Sequence, residues 1–167
     1  IYGYPNPSEL PITEKSNKQP MSPYSVAKLS TELLCYQWVQ SEGFNITTAR
    51  PFTHIGPSQS DRFAISNFSR QIAEIILGIK NPIMNVGDLS PTRDFTYVSN
   101  VVDGIICSAF FNLKNYFISI NLACGKEIKL LELIKSLKYL FSEKKIEIKI
   151  RRKPFRKGDI KNSKANI

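Results

Sequence analysis

Histidine is almost missing from this chain: His54 is the only one, so no site that needs two imidazoles can be built from it. Cysteine is scarce as well. Cys35, Cys107 and Cys124 are an odd number with no close pair and no histidine beside them, which excludes a disulfide framework and a zinc site and predicts no metal. The expectation is that all three are small buried hydrophobes. No uninterrupted apolar run approaches the ~18–20 residues of a membrane span. The first residues also lack the charged, apolar, then small-residue order of a signal peptide. A soluble, cytoplasmic protein without a membrane partner is the default expectation.

Acidic residues are outnumbered, and the location of the excess says more than its size. The formal charge is +9 over 167 residues, yet residues 144–164 hold ten Lys/Arg against two acids, a net +8, leaving the rest close to balance. That basic segment has Phe155 as its one aromatic and shows no helix-turn-helix, zinc-finger or base-stacking pattern, so nucleic acid is not the expected partner. A small polyanion such as a nucleotide diphosphate would engage only a few of these charges. With 42% hydrophobic residues the chain can bury a core.

The ends read as interior sequence. Residue 1 is isoleucine, the first methionine is Met21, and 161–167 carries no helix cap or turn signal, so an internal fragment is expected. Between the ends, residues 4–21 contain four prolines and many polar residues and predict an extended surface loop. A helix should follow, with Ser22 as N-cap, Pro23 at the first helical position and Gly43 as the stop. Residues 44–52, with Ile46, Thr47 and Thr48, predict a buried strand, and 53–64 a loop. Further helices are expected at 66–78, 100–112 and 130–141, and strands at 83–86, 94–98, 117–123 and 146–150. Strands alternating with helices predict an α/β fold with a mostly parallel sheet.

Tyr24 and Lys28 are four residues apart on the first helix, so both project from one face about one turn apart. A phenol with a pKa of about 10 is a poor base at neutral pH, and an ammonium one turn away favours the phenolate. Such a pair suits proton exchange with a sugar hydroxyl or ketone while hydride moves to or from a nicotinamide, with the lysine also able to bond the cofactor ribose. An i,i+4 pair on a surface helix is also ordinary, and seven tyrosines in a lysine-rich chain make a chance match easy. The context is more specific than the pair: Ser22-Pro23-Tyr24-Ser25-Val26-Ala27-Lys28, then the strand Ala49-Arg50-Pro51-Phe52.

With that context the chain resembles, from end to end, the extended short-chain dehydrogenase/reductase family of nucleotide-sugar epimerases, dehydratases and reductases. Ile1-Tyr2-Gly3 resembles the strand-turn before the active-site loop, and Pro11-Ile12-Thr13-Glu14 the family's usual segment. Arg93-Asp94-Phe95-Thr96-Tyr97-Val98 resembles the motif whose arginine grips the substrate diphosphate. Arg156-Lys157-Gly158-Asp159-Ile160 is similar to Arg-Pro-Gly-Asp near the nucleotide, with Lys157 in place of proline. Arg50 to Pro57, Gln59 to Phe63 and Arg70-Gln71-Ile72 most resemble GDP-4-keto-6-deoxy-mannose reductases, with GDP-mannose 4,6-dehydratases as near relatives.

The resemblance implies the C-terminal part of a Rossmann-like doubly wound parallel sheet plus a smaller substrate-binding α/β lobe. Residues 1–52 would belong to the NAD(P)-binding domain and 53–167 mainly to the nucleotide-sugar lobe, with 100–123 returning to the Rossmann sheet. It implies Tyr24 and Lys28 as the catalytic pair, and Tyr24, Lys28, Pro51 and His54 as contacts to NAD or NADP. Thr53, Arg93, Arg156 and Asp159 would meet a nucleotide-sugar substrate, a GDP-sugar by preference, and the whole enzyme would be a homodimer. Arg70 reads as a solvated helix face, and Glu14 and Glu32 as no glycosidase-like pair. Two departures stand out. Thr53 occupies a position where asparagine is usual, offering a hydroxyl of shorter reach. No two glycines lie close enough for a Gly-x-x-Gly-x-x-Gly phosphate turn, so the isolated chain is expected to be inactive. Epimerase, dehydratase or non-catalytic nucleotide-binding module are the alternatives to a reductase.

Overall fold

A computed structural model of the protein describes residues 1–110, 117–144, 146–152 and 163–166. After a proline-rich segment with one 3-10 turn, Pro7–Glu9, the chain enters α1, Pro23–Glu42. Local chemistry sets both ends of that helix. The Ser22 side chain accepts from the Ser25 backbone N–H while the Ser25 hydroxyl accepts from the Ser22 N–H, a reciprocal capping box. Gly43 ends the helix at φ 71°, a left-handed conformation that a side chain would resist.

The chain then folds back into β1, Ile46–Pro51, and β2, Thr53–Ile55. The second is a correction: Thr53 was expected to begin a loop, but it opens a three-residue strand too short to show any period. The break at Phe52 transfers the chain between sheets. β1 pairs in parallel with β5, Phe117–Leu122, whereas β2 pairs in parallel with β4, Thr92–Tyr97. β4 also pairs antiparallel with β6, Glu127–Lys129, a strand that carries no sequence signal. A third sheet joins β3, Ile83–Val86, in parallel to β7, Lys149–Arg152, which begins three residues later than the expected 146–150. The mixed α/β class with mainly parallel pairing is as expected.

Helices α2, Ala64–Ile76, and α4, Leu130–Leu140, pack together over the β3–β7 sheet. Phe68, Ile72, Ile75, Met84, Val86, Leu89, Ile134 and Ile148 form the buried core there. Each such side chain contributes about 1.5–3 kcal/mol by leaving water. The other layer, α1 and α3, Val98–Phe110, against β1 and β5, is much less covered. Val39 is the buried residue of α1 and Val101 that of α3, while Leu33, Leu34 and Trp38 on the first and Ile105, Ile106 and Phe110 on the second are exposed. β1 is accordingly half-buried rather than buried. Cys35 is also half-buried, and Cys107 and Cys124 are exposed, all three as free thiols, so the expectation of three buried cysteines fails. Cys107 sits on α3, whose apolar surface has too little packed on it to bury a thiol.

Candidate active site

Because α1 and β1 run antiparallel from one short loop, their side chains draw level at predictable positions. Glu32 lies ten residues before the helix end, about 15 Å at 1.5 Å per residue, and Arg50 lies four residues into the strand, about 13 Å. The two meet. Arg50 donates through Nε to Glu32 Oε2 at 2.7 Å and through its second terminal nitrogen to Oε1, a two-point ion pair whose side chains are 8% and 11% exposed. Its remaining terminal nitrogen donates to the Tyr2 hydroxyl at 2.7 Å and the Glu14 carbonyl at 3.1 Å. Tyr2 in turn donates to Asn121 Oδ1 on β5 at 2.7 Å, and the Glu14 carboxylate accepts the Asn121 backbone N–H at 2.9 Å. Burial pushes the Tyr2 phenol above its ordinary value. Burial also pushes the Glu32 carboxyl up, but the hydrogen bonds and charge of Arg50 outweigh it and hold Glu32 below its ordinary value.

Tyr24 lies eight residues before Glu32 on the same helix, about 12 Å further along the axis and beyond the carboxyl end of β1. The residue is 71% exposed, and the Lys28 ammonium stands 5.5 Å from the ring centroid. The pair therefore presents a phenol and a cation side by side to solvent at the end of the sheet where ligands of open α/β folds sit.

Downstream of Pro51, the last residue of β1, the parallel register sets Thr53 opposite Phe95, His54 opposite Thr96 and Ile55 opposite Tyr97. Partners in register share a face, and alternation along β4 puts Arg93, Phe95 and Tyr97 on one side and Thr92, Asp94 and Thr96 on the other. Thr53 and Arg93 thus share one face of the β2–β4 sheet, and His54 belongs to the opposite one. The His54 ring lies 3.2 Å from the Phe52 carbonyl through Nδ1 and is exposed, whereas Thr53 and Arg93 are half-buried. Arg93 donates to the Thr92 carbonyl at 2.7 Å.

Asp94 is fully buried on the other face. Its two carboxylate oxygens accept the backbone N–H groups of Cys124 at 2.9 Å and Gly125 at 2.8 Å, so the β5–β6 turn is moored to β4. Its own N–H donates to the Ser163 carbonyl at 2.9 Å, and the neighbouring Ala165 bridges Ile12. Arg156 and Asp159 lie outside the described residues. Arg70 is half-exposed and pairs with Asp61 at 3.1 Å, within a solvated helix face. No group of three or more His, Cys, Asp or Glu able to hold a metal occurs among the described residues, and none of their helices is long and apolar enough to cross a membrane.

Sequence reasoning missed the Arg50 cluster. A charged residue inside the strand Ile46–Pro51, and a glutamate one turn after Lys28, were the available signals. Glu14 and Glu32 do converge, but on a guanidinium and a backbone amide rather than across a cleft.

A family model described as GDP-mannose 4,6 dehydratase matches residues 1–167. The chain is 39% identical over 140 residues to a GDP-6-deoxy-D-mannose reductase of Pseudomonas aeruginosa, covering 82% of this chain and 44% of that protein. Among solved structures, RMD from Pseudomonas aeruginosa complexed with NADPH superposes with a TM-score of 0.89 at 33% identity, over 99% of this chain and 54% of that one. A UDP-N-acetylglucosamine 4-epimerase from Methanobrevibacter ruminantium in complex with UDP-N-acetylmuramic acid gives 0.83 at 30% identity, over 100% and 51%. The chain spans about half the length of the relatives it matches.

Proposed function

Since the chain belongs to the GDP-mannose 4,6 dehydratase family, we propose that it carries the proton-transfer and substrate side of an NAD(P)-dependent oxidoreductase acting on a nucleotide sugar, and that the reaction is reduction of a GDP-4-keto-6-deoxy-mannose. The observation that carries this reading is the exposed Tyr24 phenol with the Lys28 ammonium 5.5 Å from its ring at the carboxyl end of β1. The 39% identity to a GDP-6-deoxy-D-mannose reductase supports the choice of reaction. This donor set suits the nicotinamide–ribose end of a dinucleotide, with Tyr24, Lys28, Pro51 and His54 as its contacts. It offers nothing to the pyrophosphate, for which the sequence has no glycine-rich turn. When bound, NADH or NADPH supplies the hydride.

Within that reaction Tyr24 gives its proton to the carbonyl oxygen as the oxygen takes up negative charge, and solvent restores the proton afterwards. Lys28 stabilises the phenolate left behind. Thr53 and Arg93, sharing one face of the β2–β4 sheet, hold the substrate phosphates, the arginine by its fork. Arg156 and Asp159 complete the nucleotide contacts in this reading. Residues 1–52 and 100–123 form the cofactor-side layer and the rest the substrate lobe. The apolar residues that α1 leaves exposed, Leu33, Leu34 and Trp38, support a homodimer across that helix.

The test is nicotinamide absorbance with the full gene product and GDP-4-keto-6-deoxy-mannose. Tyr24→Phe should lower kcat by about 10²–10⁴-fold, the usual range for loss of a general acid. Unchanged turnover in that variant, or no turnover with GDP- or UDP-sugars, would overturn the assignment. Interconversion of UDP-sugars seen by chromatography, with no net change in nicotinamide absorbance, would favour an epimerase, the activity named for the relative at 30% identity.

A further inference from the structure

We propose that the buried Arg50–Glu32 pair is the positioning device that sets where Tyr24 and Lys28 stand relative to the chain from Pro51 to His54, an inference that rests on the catalytic reading above. Three observations lead to it. The first is how little else holds the N-terminal half of α1. Among the described residues, Val39 is the one of α1 that is buried and Tyr36, 5.4 Å from the Phe117 ring, the one whose ring meets a ring on another element, and both lie in the C-terminal half. Apolar packing therefore leaves the rotation and rise of the Tyr24 end weakly specified, and a slip of one turn would carry Tyr24 by about 5.4 Å.

The second is the geometry of the pair. A fork-to-carboxylate contact with two parallel bonds restricts orientation as well as distance, which a single ammonium does not. Glu32 follows Lys28 by one turn and Tyr24 by two, so all three lie within one sector of the helix. Arg50 directly precedes Pro51. The bridge thus joins the helix carrying the proton donor to the strand end that leads to Thr53 and His54.

The third is its anchoring. Arg50 also holds Tyr2 and the Glu14 carbonyl, and both of those residues bind Asn121 on β5. Three segments distant in sequence, at Tyr2, Glu14 and Glu32, are bonded to one guanidinium, and a fourth, at Asn121, is tied to two of them, so its position is over-determined. A buried ion pair is an inefficient source of stability because desolvation offsets most of the attraction, whereas fixing register is its best-attested use.

The experiment uses the full gene product with Arg50→Lys, Arg50→Gln, Glu32→Gln and the Arg50→Lys/Glu32→Gln double variant, assayed well below their melting temperatures. A misplacement of about 1 Å at reacting groups costs on the order of 10²-fold, so each variant should lose 10- to 100-fold in kcat with substrate KM changed less than about threefold. Arg50→Lys should lose as much kcat as Arg50→Gln although it keeps the charge, the double variant should be no worse than its single parents, and the low-pH limb of kcat should move. Hydrogen exchange should quicken for amides of residues 26–31 and not for those near Gly43. Lowered melting temperatures with parental kcat and an unmoved pH profile would make the pair merely structural and overturn the proposal. If Tyr24→Phe is as active as the parent, the catalytic reading fails instead. Hydrogen exchange then decides positioning by itself, and unchanged rates at 26–31 would overturn it.

Discussion

Removing the Asp94 carboxylate should be among the most destabilising single changes available in this chain. The residue is 0% exposed, and both of its oxygens are used, accepting from Cys124 at 2.9 Å and Gly125 at 2.8 Å. Asp94→Ala leaves two backbone donors without an acceptor beside a strand that excludes water. At about 1–3 kcal/mol for each orphaned group the loss is about 2–6 kcal/mol, tempered where the turn can open to solvent. Against the ~5–15 kcal/mol of a typical domain this is a large share. Asp94→Asn keeps one acceptor and sets an amide N–H against the other donor, so it should fall between parent and alanine. Urea titration of the full gene product, followed by far-ultraviolet circular dichroism and extrapolated to water, gives the differences. Because the moored turn leads from β5 into β6, and β6 pairs with the Arg93 strand, hydrogen exchange at 123–127 should rise in both variants. A loss under about 0.5 kcal/mol in Asp94→Ala would refute the reasoning, since it would mean that the two N–H groups find other acceptors at no cost.

Two further outcomes follow from local geometry. A Cβ on Gly56 would lie 2.4 Å from Val98 Cγ1 and 3.0 Å from its Cβ, so Gly56→Ala should cost about 1–3 kcal/mol in a thermal or urea melt. Adding Val98→Ala should recover part of that loss, and a double variant less stable than Gly56→Ala would exclude the clash as its cause. Glu32 is held below its ordinary value of 4.5, so the folded state gives up this proton more readily than the unfolded chain does. Its stabilisation is present in full above that value and is lost as the pH falls through the folded value. The stability difference between parent and Glu32→Gln should therefore narrow between about pH 6 and pH 3, and a constant difference over that range would contradict the ion pair's role.

The sequence by itself determined the elements whose signals are local. Ser22, Pro23 and Gly43 bounded α1 because caps act within one turn, and the alternation of helices with β-branched runs established the α/β class. The spacing of Tyr24 and Lys28 placed them on one helical face before any packing was known. Tertiary structure decided the rest. Thr53–Ile55 and Glu127–Lys129 are strands because β4 supplies their hydrogen bonds, and three residues are too few for a period to register. Burial of Cys107 could not be read from the apolar sequence of α3, because it depends on what lies against the helix. Arg50 and Glu32, 18 positions apart, meet because a helix rises about 1.5 Å per residue and a strand about 3.3 Å, so elements folding back from one loop match ten residues against four. Asp94 became the anchor of a turn 30 residues away only when the sheets closed, since a carboxylate in a strand looks the same in sequence whether it meets water or two backbone amides.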